Sequence, residues 1–479
     1  MNNYSAEMAG ISRRAILKSG AAFAALAAVA GSRAFAQGTT TIKWWDIFQP
    51  LIPLHTKMWE DYAADHPISV DYTGMNPSDM MQALQLAVRS NQAPDVFNVP
   101  SGDPATLASL NAADWFAPLD DSFVFDKPYQ QQTLAEGFTQ FGGKLYSFPI
   151  FSFRWHSTSL WHSKPALEAV GASLSDTANW DDIRAAAKAA TTDGKYGLLL
   201  PLQFTARIAD HLTDLAMAAG APGRIDWRTG EYALASDEFV AALDFWLSFQ
   251  KDGSLHPASA SLDARQGRSR WAAGEAAMFF DGPWNSGVLT NNFADFLEGV
   301  EVTPLPTPAG VDKAYAQRPP IPGTFFISSQ SEHAKEASEV MQLMTTEEYY
   351  VALAERMDQP PLDLDAVAKA NVHPTYRKAV AGFADSVRLA PDPLIRNPDV
   401  AKVYAEMRDI TPGLGEIIQG AFSGSFDDPR PILQDLADQM TAERDRAIKV
   451  ATDNGAKVSV DDWVFDNWTP GTDYTSDMY

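Results

Sequence analysis

Hydrophobic and polar positions along the chain follow two periods. Thr41-Ile42-Lys43-Trp44-Trp45 is a short β-rich run, residues 54–65 follow helical spacing, and Ile68-Ser69-Val70-Asp71-Tyr72 alternates as a strand does. Ser78 is placed to cap a helix carrying Met80, Leu84, Ala87 and Val88 on one face. Pro94 stops it, and Asp95–Val99 predicts a third strand. The order β-α-β-α-β predicts a mostly parallel sheet with helices on its faces. Ligands bind at the C-terminal ends of such strands, here the loops Asp46-Ile47-Phe48 and Ser101-Gly102-Asp103.

A second α/β block starts near residue 150. Asn179 with Asp182 three residues on predicts a capped helix start, and Lys195–Leu200 reads as a buried strand. Residues 237–250 form an amphipathic helix whose Phe239, Leu243, Trp246 and Phe249 belong to a core. Proline and glycine crowd residues 304–322, which marks a crossing or an exposed loop. Thr324–Ser328 predicts a strand, and 332–355 one helix with Val340, Met341 and Met344 on one side. The chain is mainly helical from 362, and Asp428 before Pro429 and Pro431 opens a last long helix with Ile432, Leu436 and Met440 inward. The acidic, aromatic tail after 460 has no assignable period.

The N-terminus adds a location. Ser12-Arg13-Arg14-Ala15-Ile16-Leu17-Lys18 precedes a weakly apolar run, Ala21–Ala30, and the small-x-small site Ala34-Phe35-Ala36, the ordered parts of an export signal. The paired arginines with Leu17-Lys18 resemble the twin-arginine signal. Cleavage after Ala36 is expected to leave a mature chain that starts near Gln37 and works in the periplasm. The apolar run is short of the about 20 residues a bilayer requires. Residues 1–36 carry Arg13, Arg14, Lys18 and Arg33 against Glu7, so their removal takes the formal charge from −24 to −27. Such a chain repels phosphate backbones, and no nucleic acid partner is expected.

Composition then narrows the chemistry. Cysteine is absent, which excludes disulfides, thiolate metal sites and cysteine catalysis. The 13 Trp, 14 Tyr and 26 Phe supply a core and also the flat rings on which pyranose C–H faces stack. No H-E-x-x-H, G-x-S-x-G, P-loop or G-x-G-x-x-G occurs. His156 and His162 read as ordinary histidines rather than metal ligands, and neither metal nor cofactor is expected. The acid pairs Asp120-Asp121, Asp181-Asp182 and Asp461-Asp462 read as solvated charge or caps. A glycosidase dyad is set in space rather than in sequence, so an exported carbohydrate-active enzyme stays open as the alternative.

The segment Trp271-Ala272-Ala273-Gly274-Glu275-Ala276-Ala277-Met278-Phe279-Phe280-Asp281-Gly282-Pro283-Trp284 resembles the F-x-x-G-x-x-A-M-x-x-x-G-x-W signature of the extracellular solute-binding proteins of carbohydrate ABC importers, the maltose-binding-protein-like family. Ala93-Pro94-Asp95-Val96, Gly143–Pro149 and Trp180-Asp181-Asp182 resemble further family motifs in the same order, and Val302–Pro306 resembles its second crossing. The resemblance implies an α/β two-lobe periplasmic-binding-protein fold, each lobe a mostly parallel sheet flanked by helices, with hinge strands between. It implies lobe one from 37–150 and 307–358, lobe two from 151–303 and 359–479, and the second crossing at 304–306. It implies a monomer that does no chemistry, holds a sugar or sugar derivative between the lobes and delivers it to the importer's membrane permease subunits.

Carried over by position, Trp284 matches the stacking tryptophan that ends the signature. Trp45 and Asp46 follow the first strand, Ser101 and Asp103 occupy the next strand-end loop, and Gly323 and Thr324 match a ligand-facing loop. The chain departs from the family where Y-Y-N-K is usual and Leu160-Trp161-His162-Ser163-Lys164 stands. Just before it, in Phe151-Ser152-Phe153-Arg154-Trp155-His156, Arg154 offers a fork for an acidic sugar or a polar substituent, and Trp155 a further aromatic contact.

Overall fold

The computed structural model describes residues 38–48, 51–75, 77–100, 104–311 and 313–479. The export signal, Ser101 and Asp103 lie outside the described residues. The first lobe opens with β1 (Thr40–Asp46), α1 (Ile52–Asp65), β2 (Ile68–Gly74), α2 (Pro77–Arg89), β3 (Val96–Asn98) and β4 (Phe116–Ala117). The second holds β5 (Ser159–Ser163), α3 (Trp180–Ala190), β6 (Tyr196–Leu199), α4 (Thr205–Ala218), α5 (Asp237–Lys251), α6 (Ala264–Ala272), β7 (Ala276–Asp281), α7 (Asn285–Asn292), β8 (Val300–Thr303) and β9 (Ala316–Arg318). The chain then gives the first lobe β10 (Phe325–Ser328), α8 (Ala334–Gln342) and α9 (Glu347–Ala354). It returns to the second with α10 (Pro374–Ser386), β11 (Val387–Leu389), α11 (Leu414–Phe422) and α12 (Arg430–Asp453).

Each lobe is a sheet covered by helices, and both sheets are mixed. The first runs β2-β1-β3-β10-β4, with β1 parallel to β2 and β3 and the returning β10 antiparallel to its neighbours. The second runs β8-β5-β7-β6, with β5 antiparallel on both sides and β7 parallel to β6. The parallel order expected from β1–β3 therefore holds in that unit, and in the second sheet only for β7 with β6. Strands that arrive by a crossing from the other lobe enter from the opposite end. In β1 the alternation sends Ile42 and Trp44 into the core, where Trp44 meets Trp59 and Phe325. Phe239, Leu243, Trp246 and Phe249 of α5 are all fully buried, as their spacing predicts.

Two helical expectations shift. The helix expected over 332–355 breaks into α8 and α9, because the Thr346 hydroxyl accepts from the Tyr349 amide and caps a new start. Along α12 the inward face is centred on Leu433, Leu436 and Ala437, with Ile432 and Met440 only half-buried.

Three segments cross between the lobes side by side. Leu362 N donates to Ile150 O at 2.9 Å, and Ser152 N to Pro360 O at 3.0 Å. Thr324 N donates to Phe148 O at 2.9 Å, and the Thr324 hydroxyl accepts from Ile150 N at 3.1 Å. Residues 306–318 stay beside the second sheet: the Trp180 indole donates to Pro306 O at 2.9 Å, and β9 pairs with β11.

Candidate functional site

The segment that resembles the family signature builds an ionic and aromatic cluster. β7 ends on Asp281, a fully buried carboxylate, and the Gly282-Pro283 turn leads to Trp284 at the start of α7. Asp281 accepts from the Arg268 guanidinium of α6, from Arg207 Nη1 of α4 at 3.1 Å, from Gly282 N at 2.9 Å and from the Trp284 indole N–H at 2.7 Å. Burial pushes its pKa up, but the Arg268 and Arg207 charges and the donated hydrogen bonds outweigh that and hold it below the usual carboxylate range.

The same Arg207 lies over two rings, 4.6 Å from the Trp284 centroid and 5.3 Å from that of Phe204. Phe204 precedes α4 and is 47% exposed. Trp155 meets Trp284 edge-on at 5.6 Å. Behind this cluster His211 is fully buried beside Trp246 and Phe280. Burial first, then Arg207, pushes its pKa down to about 3, so the imidazole is neutral.

Trp155 also walls a cavity of about 400 Å³. Its other walls are α4 (Asp210, Thr213, Asp214, Met217), the turn 222–227 with Arg224 and Trp227, and the strand end Gln317-Arg318-Pro319. At its base Asp214 is fully buried, pairs with Arg318 at 2.8 Å and accepts from the Thr158 hydroxyl at 2.6 Å. At its mouth Asp210 pairs with Arg224 at 2.8 Å. His156, buried against Phe383, is held neutral by burial first and then by the Arg318 charge.

The expected site residues fall into two groups. Trp284 and Trp155 come together as described. Arg154 is one residue from the cavity, but its fork is taken: it pairs with Asp473 at 2.6 Å and donates to Val387 O. Asp46 is fully buried, and its carboxylate is taken by His55 at 3.2 Å, the Tyr72 hydroxyl and Phe48 N. It pins the end of β1 to α1 and β2. Trp45 is half-buried against the cluster of Met80, Phe97 and Phe326. Gly323 and Thr324 are buried in the crossing, where a Cβ at Gly323 would overlap the Ser147 side chain. Arg207, Arg268, Phe204, Asp214 and Arg318 were not legible as site residues. Nothing in the sequence brings α4, α6 and β9 to one place.

Among the described residues no group of His, Asp and Glu could hold a metal ion, and no helix is long and apolar enough to cross a membrane.

Residues 53–351, more than half of the chain, match the profile of the family described as bacterial extracellular solute-binding protein. No curated protein sequence matches. Among solved structures the fold is similar to that of the GacH receptor of Streptomyces glaucescens, solved unliganded and with acarbose (17% identity, TM-score 0.64, covering 84% of this chain and 98% of that one). It is also similar to maltose-bound MalE3 of T. maritima (17%, 0.62, 84% and 99%) and to the sugar-binding protein MalE of Xanthomonas citri (16%, 0.60, 88% and 100%).

Proposed function

Because the chain belongs to the bacterial extracellular solute-binding proteins, we propose that it captures a neutral sugar or sugar derivative between its lobes and delivers it to the membrane permease of an ABC importer. It binds and releases its ligand unaltered, as a monomer, in the periplasm, where the twin-arginine signal takes it. Lobe one on this reading is 37–150 with 325–358. Lobe two is 152–318 with 362–479.

One observation carries the choice of ligand. Half-buried and exposed rings (Trp284, Trp155, Phe204) stand among guanidinium–carboxylate pairs in which every guanidinium has a carboxylate partner, with Asp281 shared by two of them. Arg154 rests on Asp473, Arg207 and Arg268 on Asp281, Arg224 on Asp210, and Arg318 on Asp214. Rings take the C–H faces of a sugar, and paired ions give and accept hydrogen bonds to hydroxyls. An anionic sugar needs a cation that is not already neutralised. Asp473 therefore removes Arg154 as the fork for a sugar acid, while the Arg207–Arg268–Asp281 cluster keeps one positive charge in surplus. The similar receptors described with acarbose and with maltose support a neutral sugar.

A thermal-shift screen over neutral sugars, polyols and uronic acids tests it. Ligand at 100 times its Kd stabilises by about 2.7 kcal/mol, a clear rise in Tm. Neutral sugars should raise Tm and be recovered unchanged by mass spectrometry. A response to uronic acids alone defeats the neutral reading, and a hydrolysed product revives the enzyme.

A further inference from the structure

We propose that Asp473, in the C-terminal segment that the sequence left without a role, is a positioning residue for ligand binding. Acting through Arg154, it fixes the turn 152–155 by which the first crossing enters the second lobe, and so fixes the ring of Trp155 against Trp284. This rests on the sugar-binding reading above, with Trp155 as a contact, and adds to it the distant element that sets that contact.

The turn is held locally by short-range bonds alone. Residues 152–156 belong to no helix or strand. Arg154 N donates to Ser152 Oγ at 3.0 Å and Trp155 N to Phe153 O at 2.9 Å, which bends the backbone but ties it to neither sheet. At its start Ser152 N is taken by Pro360 O in the crossing, and at its end Trp155 meets Trp284 edge-on at 5.6 Å. Trp284 has its own anchors in Asp281 and Arg207. The backbone that carries Trp155 is anchored through the Arg154 side chain.

That side chain is fixed at two points by one carboxylate. Arg154 Nη2 donates to Asp473 Oδ2 at 2.6 Å and Nη1 to Oδ1 at 3.3 Å. Arg154 also donates to Val387 O. A guanidinium on that carbonyl alone could swing about the bond, whereas the fork on Asp473 sets its plane. The guanidinium then lies over the Phe153 ring, 4.8 Å from its centroid, within the same turn.

Asp473 is itself well anchored. Its Oδ1 accepts from Leu389 N at 2.8 Å, and Tyr474 N donates to Leu389 O at 2.9 Å, so the two residues bracket the end of β11. The Tyr474 ring is fully buried with Phe465 and Trp468, and its hydroxyl donates to Met478 O at 2.8 Å. The Tyr479 hydroxyl accepts from Asp392 N at 2.9 Å. The Arg154 and Asp473 side chains are 24% and 31% exposed, and a pair so placed adds little to folding. Its geometry is what the site uses. A ring already in place spares the ordering of one side chain when sugar arrives, a difference of about three- to tenfold in affinity.

Asp473→Asn tests this, because asparagine keeps an acceptor for Leu389 N and removes the charge that holds Arg154. Fluorine NMR of the full chain labelled with fluorotryptophan reads the indole rings one by one, and the Trp155 resonance is assigned by its loss in Trp155→Phe. In Asp473→Asn that resonance should shift or broaden while the melting temperature changes by only a few degrees. Arg154→Gln should do the same, and the double variant no more than either single one, since both act on one contact. Titrated with maltose, or with the sugar that the thermal-shift screen selects, Asp473→Asn should bind about three- to tenfold more weakly than the wild type. An unchanged Trp155 resonance overturns the proposal. So do effects of the two substitutions that add, and an unchanged sugar affinity beside a shifted resonance. If the wild type binds none of the sugars while the Trp155 resonance still shifts, the sugar reading falls and the hold of Asp473 on the turn stands.

Discussion

The indole N–H of Trp284 donates to the Asp281 carboxylate at 2.7 Å, across a turn of Gly282 and Pro283, and Arg207 pairs with that carboxylate while lying over the indole ring. The ring is thus oriented by one ion and covered by another. If a sugar stacks on it, as proposed, a ring held this way loses little entropy on binding.

Trp284→Ala is expected to weaken sugar binding by about 2–4 kcal/mol, the range of a truncated aromatic hot spot, or roughly 30- to 1000-fold in Kd. Stability should fall less, since the ring is only half-buried. Titration calorimetry and a melting curve on the same variant check both. A large drop in Tm with unchanged affinity would make Trp284 a core residue.

Asp281→Ala should reverse that ranking. It leaves Arg268, itself buried, and Arg207 without their shared carboxylate. Removing one partner of a buried ion pair costs about 3–5 kcal/mol. Urea unfolding should register that loss. A change within 0.5 kcal/mol, the size of about an ordinary surface substitution, would show that the cluster contributes nothing to the fold.

Gly282→Ala tests the placement of the ring more gently. A Cβ at this position would overlap the far edge of the Trp284 indole, and the backbone there needs no glycine conformation. The ring must move, so affinity should drop by at least tenfold while the melting temperature changes by only a few degrees. Unchanged affinity would mean that the indole position is not what the ligand reads.

The part of this site that was legible in the sequence is the part that is contiguous. Trp284 stands at the end of a recognisable segment, and Asp281 lies within the same fourteen residues. Its partners Arg207 and Arg268 come from two helices whose approach is a tertiary fact. Phe204 and Trp227 are single aromatics in loops, where no periodicity singles them out. The alternation of Ile42 and Trp44 and the helical spacing of Phe239–Phe249 were readable because burial imposes a period on them. Prolines and glycines over 304–322 read as a crossing or an exposed loop. Where the chain leaves the second sheet depends on the pairing of β9 with β11, which lies far away in sequence. Asp46 and Arg154 were chosen by position along the chain, and each turned out to be engaged by neighbours that only the fold supplies.

Closure of the lobes has a measurable counterpart. Phe138 is buried in one cluster with Leu394, Val400 and Val403, which on the proposed division into lobes would be an apolar clasp between them. Hinge closure is the expected response of two lobes joined by crossing strands. Small-angle scattering should give a smaller radius of gyration with saturating sugar, and Phe138→Ala should enlarge the unliganded radius while leaving the liganded one unchanged. An identical radius in all four samples would argue against both hinge motion and clasp.

Stability should carry a pH signature from Asp392. Burial pushes its carboxyl up from 3.8 to about 7, against a hydrogen bond from Leu394 N at 2.8 Å that favours the ionised form. Below pH about 4 the group is protonated in both folded and unfolded chains and has no effect. Between about 4 and 7 the unfolded chain ionises while the folded one keeps its proton, so stability falls as pH rises, and above 7 the loss is complete. A difference of this size corresponds to on the order of 4 kcal/mol. His162 acts in the opposite sense: burial pushes its pKa down from 6.5 to about 4, so its contribution is lost as pH falls through that window. The two overlap in the wild type, and Asp392→Asn separates them. Asparagine keeps the acceptor for Leu394 N and cannot ionise. The stability of Asp392→Asn relative to the wild type should therefore climb steadily from pH 4.5 to 7.5 in urea titrations. A constant difference across that range would show that Asp392 is ionised in the folded protein and that the apolar surroundings of this cap do not govern its proton.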